Sequence, residues 1–327
     1  MGCRLPITDE GNYDELAGQE SSYWGKRAKE KSEAGVLPDL QIRYRAKEPE
    51  NLWDDSEVEN FVRGGFVSKI MNGCCSKPGM DVLELCCGPG KLALEAARRG
   101  AHVTGIDISP DVIEIGKRYQ AGLSFAGSSD LVVGDLNKIT LPKEKYDVVF
   151  AWDGLHHIAD ISHLISEVKI GLRPGGILVV HDHAAASKNE SFFAMVISHL
   201  LLLMLPTNES FLKKAKTAQK KLRKLLQHDT TNDERESNSS NSTADSDIFV
   251  SPFEDISGEN IVQSVIANFK VLELKRYLSL NGAPYVKIRP TDKHRWTAIK
   301  TMAVLDSLLI RCRILKPQYF FIIGQKR

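Results

Sequence analysis

Several features are scarce or missing in this 327-residue chain, and each absence removes a class of protein. No C-x-x-C spacing occurs. The six cysteines stand at 3, 74, 75, 86, 87 and 312, four of them in adjacent pairs, which suits neither a zinc module nor a disulfide scaffold. A reduced, cytoplasmic protein is the expectation. Charge of one sign is not in excess: 43 Lys and Arg face 42 Asp and Glu. A chain held to nucleic acid by bulk charge is more basic than this, so DNA is set aside as a partner and RNA is not expected. No apolar run reaches the roughly 20 residues that cross a bilayer; the longest, Phe192 to Leu205, is interrupted by Ser198 and His199. The start, Met1 to Pro6, lacks the apolar stretch of a secretory signal, and Pro6 stands where an N-acylation motif needs Ser or Thr. Aromatic residues make up 7%, yet 42% hydrophobic and 26% charged residues are an ordinary globular balance.

What is present is an alternation. Residues 1–56 read as a polar N-terminal extension of loops and short helices, with Tyr23, Trp24, Tyr44 and Trp53 placed to lid a site. Residues 57–186 read as the core. Val58, Phe61, Val62, Phe66, Val67 and Ile70 recur at helical spacing over 57–72. Short apolar strands at 81–86, 101–107, 131–133, 146–152 and 176–181 then alternate with helices at 91–99, 111–120 and 161–172. Ser109 serves as N-cap and Pro110 as the first residue of the second of these. Such alternation predicts βαβ units, right-handed crossovers and an α/β doubly wound, mostly parallel sheet, with ligands at the carboxyl ends of its strands. Residues 187–268 read as a helical insertion: an apolar helix at 192–205, a basic helix carrying Lys213, Lys214, Lys216, Lys220, Lys221, Arg223 and Lys224, and a Ser/Asn/Asp-rich stretch at 229–247 expected to be disordered. Residues 269–327 supply closing strands and a late helix.

The most informative stretch is Glu84-Leu85-Cys86-Cys87-Gly88-Pro89-Gly90, a strand running into a glycine turn that opens a helix. Glycines let the backbone turn tightly and let a ligand approach it. Asp107 ends the next strand, 19 residues after Gly88, where an acid can accept both ribose hydroxyls. The spacing also satisfies G-x-G-x-x-A, so an NAD-dependent oxidoreductase stays open as an alternative. Against it, a dinucleotide needs the helix N-terminus for its pyrophosphate, whereas the acid Glu84 before the turn suits a cationic ligand such as S-adenosyl-L-methionine. Asp135 in Gly134-Asp135-Leu136 is spaced to meet an adenine amino group.

These stretches, with Gly105-Ile106-Asp107-Ile108-Ser109, Asp147 to His157 and Leu172-Arg173-Pro174-Gly175-Gly176, resemble successive motifs of the class I S-adenosylmethionine-dependent methyltransferases, most closely the small-molecule subgroup that includes ubiquinone and menaquinone methyltransferases. The resemblance covers about 58–186 and the closing strands. It implies a seven-stranded sheet with an antiparallel last strand. It implies that Gly88 and Gly90 pass under the methionine part, that Glu84 orients the loop, that Asp107 holds the ribose, that Ile108 packs on adenine, that Asp135 and Leu136 bind the adenine edge, and that Trp152 and His157 line the cofactor. Cys86 is placed with the cofactor-binding residues of this turn, although the family usually has glycine there.

Methyl transfer needs positioning and, for a protic acceptor, a base. His156 and His181, near strand ends, are the catalytic candidates. Asp153 and Asp182 end neighbouring strands as metal-binding acids do in catechol-type methyltransferases, but no metal is assigned. The apolar and basic helices of the insertion suit a small, hydrophobic or lipid-like acceptor or peripheral contact with an anionic membrane. RNA methylation and cofactor binding without catalysis are further alternatives.

Overall fold

The computed structural model describes residues 10–42, 55–184, 251–253, 258–280 and 294–327, together with 285 and single positions between 193 and 219. The predicted strands and core helices are present: α2 (Ser56–Cys74), β1 (Asp81–Leu85), α3 (Lys91–Arg98), β2 (His102–Asp107), α4 (Pro110–Gln120), β3 (Ser128–Val133), β4 (Tyr146–Trp152), α5 (Ile161–Gly171), β5 (Leu172–His183), α6 (Gly258–Asn268), β6 (Lys270–Tyr277), α7 (Arg295–Arg311) and β7 (Tyr319–Gln325). The sheet order is β3-β2-β1-β4-β5-β7-β6. β1 to β5 run parallel, and β7 is antiparallel to both of its neighbours.

Successive strand residues point to opposite faces, and both faces are covered. Leu83, Leu85, Val149, Ala151, Val180 and Ile322 pack against α5 and α6. Val82, Val148, Phe150, Val179 and Phe321 pack with Ile70 and Met71 of α2 and Ala93, Ala96 and Ala97 of α3. A third cluster joins Val58, Ala194, Leu280, Ile299 and Met302. The carboxyl ends of β1, β2 and β4 therefore open at one edge of a rigid slab.

The N-terminal extension differs from its sequence reading. Glu10–Glu33 is one 24-residue helix, α1. It carries no continuous apolar stripe, so periodicity does not reveal it; it is held by contacts with α4 and the strand ends. Gly25 allows close approach, since a Cβ there would lie 2.8 Å from Asp111 Oδ2. Lys29 pairs with Asp111 at 2.7 Å and Ser21 donates to the Ile108 carbonyl. Ser109 occupies the N-cap of α4 as expected but makes no side-chain cap bond; Asp107 accepts from the Ser109 N–H instead. β5 begins earlier than its apolar pattern and continues to His183. Of the 192–205 helix, Phe193, Ala194, Val196–Ser198, Leu200 and Leu201 are described and helical. Tyr44, Trp53, most of the basic run and all of 229–247 lie outside the described residues.

Candidate functional site

The turn after β1 is built from three left-handed residues in alternation: Cys86 (φ 52°), Gly88 (φ 54°) and Gly90 (φ 85°). At Gly90 a Cβ would sit 3.0 Å from Leu131, whereas at Gly88 it would meet open space, so Gly88 leaves its backbone accessible to a ligand. Glu84 is buried beneath this turn, and its Oε2 accepts from the Ala93 N–H at 2.8 Å. Burial pushes the Glu84 carboxyl well above its usual range, opposed by that N–H. The bond occupies a first-turn donor of α3 that a pyrophosphate would otherwise use. Across the turn, Asp107 accepts from Gly88 N–H at 2.9 Å and Ser109 N–H at 3.0 Å. Burial raises its pKa while these two donors lower it.

Beside Asp107 lies a cavity of about 130 Å³. Six of the predicted cofactor residues line it: Cys86, Asp107, Ile108, Asp135, Leu136 and His157. Glu20, Trp24, Gly134, Asn137, Asp153, Gly154, Ile158 and Phe253 complete the wall. Glu84, Gly88 and Gly90 form the support beneath it rather than its lining. Trp152 turns away from the cavity, stacks on His181 at 4.0 Å and lies under the Arg63 guanidinium at 4.9 Å.

α1 closes the cavity. Tyr13 donates to both carboxylate oxygens of Asp135, at 2.8 and 2.7 Å, and stacks on Phe253. Glu20 is a buried hub: Trp24 Nε1 and Ser251 Oγ each donate to it at 2.6 Å, and His157 Nδ1 lies 3.2 Å away. Burial raises the Glu20 pKa, but the bonds from His157 and Ser251 outweigh it and hold the group below its ordinary value. Of these residues the sequence reading named only Trp24 as a lid residue. Positions 13, 20 and 24 share one helical face, which was the available sign.

The two catalytic candidates lie behind the cavity wall. His156 is buried with Nδ1 2.5 Å from Asp182 Oδ1, and Asp182 also accepts from the Leu155 and His183 N–H groups. His181 is fully buried; its Nε2 meets the Tyr277 hydroxyl at 2.5 Å, and its Nδ1 lies 2.7 Å from Asp153 Oδ1 in a geometry poor for a hydrogen bond. Asp153 is committed to Arg63, whose Nη1 donates at 2.7 Å and whose Nη2 reaches Glu59 at 3.0 Å. Among the described residues no group of three or more His, Cys, Asp and Glu side chains is arranged to hold a metal ion.

The lining combines two acids, Asp107 and Asp135, with aliphatic Ile108 and Leu136, and Glu84 takes a first-turn donor of α3 beneath it, a chemistry that suits S-adenosylmethionine better than a dinucleotide. A methyltransferase-domain family model matches residues 82–176. A ubiquinone biosynthesis O-methyltransferase of Haemophilus ducreyi is 30% identical over 183 residues, covering 54% of this chain and 75% of that protein. A sterol 24-C-methyltransferase of Gibberella zeae is 34% identical over 107 residues, 32% of this chain and 28% of its own; the chain thus spans less than a third of the sterol enzyme that it matches. Among solved structures, geranyl diphosphate C-methyltransferase from Streptomyces coelicolor A3(2) superposes with a TM-score of 0.53 at 12% identity, over 95% of this chain and 98% of that one, a likeness of fold. With the ordered motifs, the 3-2-1-4-5-7-6 sheet and three quarters of a quinone methyltransferase matched, the chain belongs to the class I S-adenosylmethionine-dependent methyltransferases.

Proposed function

We propose that this protein transfers a methyl group from S-adenosylmethionine to a small, hydrophobic or lipid-like acceptor. The observation that carries the reading is the joint lining by Asp107, Ile108, Asp135 and Leu136 of one cavity beside a turn whose Gly88 backbone is open. The cofactor, when bound, supplies an electrophilic methyl on a sulfonium. The chain's residues do the rest. Asp107 and Asp135 accept hydrogen bonds from the nucleoside, Glu84 fixes the turn to α3, and the surrounding carboxylates favour a cationic ligand. Typical ligand pockets hold about 300 Å³ or more, above the 130 Å³ enclosed here, so the reading requires α1, with Tyr13 and Glu20, to move outward to admit the cofactor. His156, held by Asp182 behind the cavity wall, is assigned a positioning role beneath the lining residue His157 rather than that of a base. His181 is assigned a positioning role, because it is clamped between Asp153, Tyr277 and Trp152. The hydrophobic acceptor class rests on relatives named for sterols and quinones.

Calorimetry with S-adenosylmethionine, S-adenosylhomocysteine and NAD tests the cofactor reading. Binding of the first two and not the third is expected, and the reverse overturns it. Transfer of labelled methyl to a panel of quinols, phenols and sterols tests the acceptor class; label appearing only in RNA would overturn it.

A further inference from the structure

The last helix carries a second surface, away from the cofactor cavity. One face of α7 is buried through Arg295, Ile299, Met302 and Asp306. The opposite face presents Lys300, Val304 and Leu308 at four-residue spacing, with Ile314 in the turn that follows and Trp296, edge-on to Phe61, at its flank. Val304 and Ile314 are 61% and 62% exposed. Beside it, Ala194, Ile197 and Leu201 pack into the same cluster as Ile299 and Met302, which leaves Phe193 and Leu200 outward, 61% and 57% exposed. Solvent does not favour large side chains gathered in this way.

The charge beside these residues has one sign. From His294 to Arg327 the sole acid is Asp306. It is buried, with Ser279 N–H and Leu280 N–H each donating to it at 2.9 Å. Lys300, Arg311, Arg313 and Lys316 are exposed, and among the described residues no ion-pair partner lies near Lys300, Arg311 or Arg313. Basic residues are thus gathered on one face of a chain whose net charge is only +1. Trp296 to Leu308 spans about 18 Å of helix, with an aromatic ring at one end and arginines at the other, the pattern of an element lying in a membrane interface. Among the described residues no helix is long and apolar enough to cross a bilayer.

We propose that this face, formed by α7 and the packed residues of 193–201, docks the protein on an anionic membrane surface. The sequence assigns such contact to the helices of 192–224, most of which lie outside the described residues; this proposal rests on α7 instead. The apolar side chains enter the headgroup boundary and the cations meet lipid phosphates.

The test is co-sedimentation of the full chain with vesicles of phosphatidylcholine and phosphatidylglycerol, compared with phosphatidylcholine alone. Binding to the anionic vesicles that falls when salt is raised from about 50 to about 500 mM is expected, because screening shortens the reach of surface charge. The triple variant Lys300→Gln, Arg311→Gln, Arg313→Gln should weaken partitioning about 100-fold at low salt, at the usual contribution per basic residue. Val304→Glu with Leu308→Glu should weaken it at least about 10-fold, with unchanged circular dichroism. Wild-type protein that ignores anionic vesicles overturns the proposal. So does a wild-type dimer in solution that Leu308→Glu dissociates, which would make the face a self-association surface. S-adenosylmethionine affinity, measured on the same variants, keeps this outcome separate from the methyl-transfer reading, because none of these residues lines the cofactor cavity.

Discussion

Tyr13 and Asp135, 122 positions apart in the chain, share a two-pronged hydrogen bond in which one phenol hydroxyl meets both oxygens of one carboxylate. Burial and then the Asp135 bond push the Tyr13 pKa upward, so the phenol keeps its proton. Asp135 is also the acid proposed to meet the adenine edge, so α1 competes with the ligand for it. Tyr13→Phe removes the competitor and leaves the Phe253 stacking in place. Association of S-adenosylmethionine should accelerate, by about 10-fold or more for a lost bond to a charged group, and amides of 10–33 should exchange faster. Stopped-flow fluorescence and hydrogen exchange check this; unchanged values for both would mean that α1 does not gate the cavity.

The Arg63 guanidinium is fully buried between Asp153, Glu59 and the face of Trp152. Burial acts to raise the Asp153 pKa, but the charges of Arg63 and His181 overcome it and hold the group far below its ordinary 3.8. A depressed carboxylate stabilises the fold at every pH above its unfolded value and loses that effect as pH falls through the folded one. This contribution is therefore complete above about pH 4 and disappears only in strong acid. Arg63→Met should cost about 3–5 kcal/mol at neutral pH, because it strands a buried charge. Adding Asp153→Asn should recover part of the loss. Urea denaturation of the two single variants and the double one measures the coupling, and simple additivity would dissolve the pair.

How legible the site was depends on the sequence separation of its partners. Glu84, Gly88, Gly90, Asp107 and Asp135 stand at strand ends or in one turn, and their spacing alone suggests a nucleoside site. α1 was not legible as one long helix, because its buried side chains, Tyr13 and Glu20, are polar or half-polar and its contacts are with residues about 80 to 230 positions away. Arg63 sat unremarked among the apolar positions of α2, since nothing local marks it as the partner of Asp153. Ser251 and Phe253 follow the Ser/Asn/Asp-rich stretch and gave no periodic pattern, yet they close the cavity against Glu20 and Tyr13. Histidine positions were legible but their surroundings were not: only the fold shows that His181 is enclosed by Trp152 and Tyr277.

Asp107 has two tasks, holding the turn and facing the cavity. Asp107→Ala would strip the Gly88 and Ser109 N–H groups of their acceptor and confuse affinity with stability. Asp107→Asn keeps the same shape and one of the two acceptors used by the Gly88 and Ser109 N–H groups, so urea unfolding of the variant is measured beside its affinity. It should lose about 1.5–3 kcal/mol of S-adenosylmethionine affinity, the usual range for a bond to a charged group, and a similar amount for S-adenosylhomocysteine, because the ribose is common to both. Calorimetry decides; full affinity in the variant would remove Asp107 from the ribose assignment.

Cys86 and Gly154 are matched across the cavity wall. Cys86 holds a left-handed backbone at φ 52°, a conformation that costs an L side chain about 1–2 kcal/mol. Its side chain fills the room opposite Gly154, where an added Cβ would fall 2.4 Å from Cys86 Cβ; the Cys86 thiol also donates to the Gly154 carbonyl at 3.4 Å. Burial pushes that thiol well above its usual pKa, so it is an inert packing group rather than a nucleophile. Cys86→Gly relieves the strained φ and opens the space, and should change stability by no more than about 1 kcal/mol. Gly154→Ala alone should destabilise by about 1–3 kcal/mol through overpacking. Combined with Cys86→Gly, the alanine gains the space that the thiol vacates, and most of that loss should disappear. The non-additivity is the measured quantity, read from thermal and urea unfolding of the full cycle. Additive losses would show that the clash relaxes elsewhere, and that the cysteine in this turn is not what requires glycine at 154.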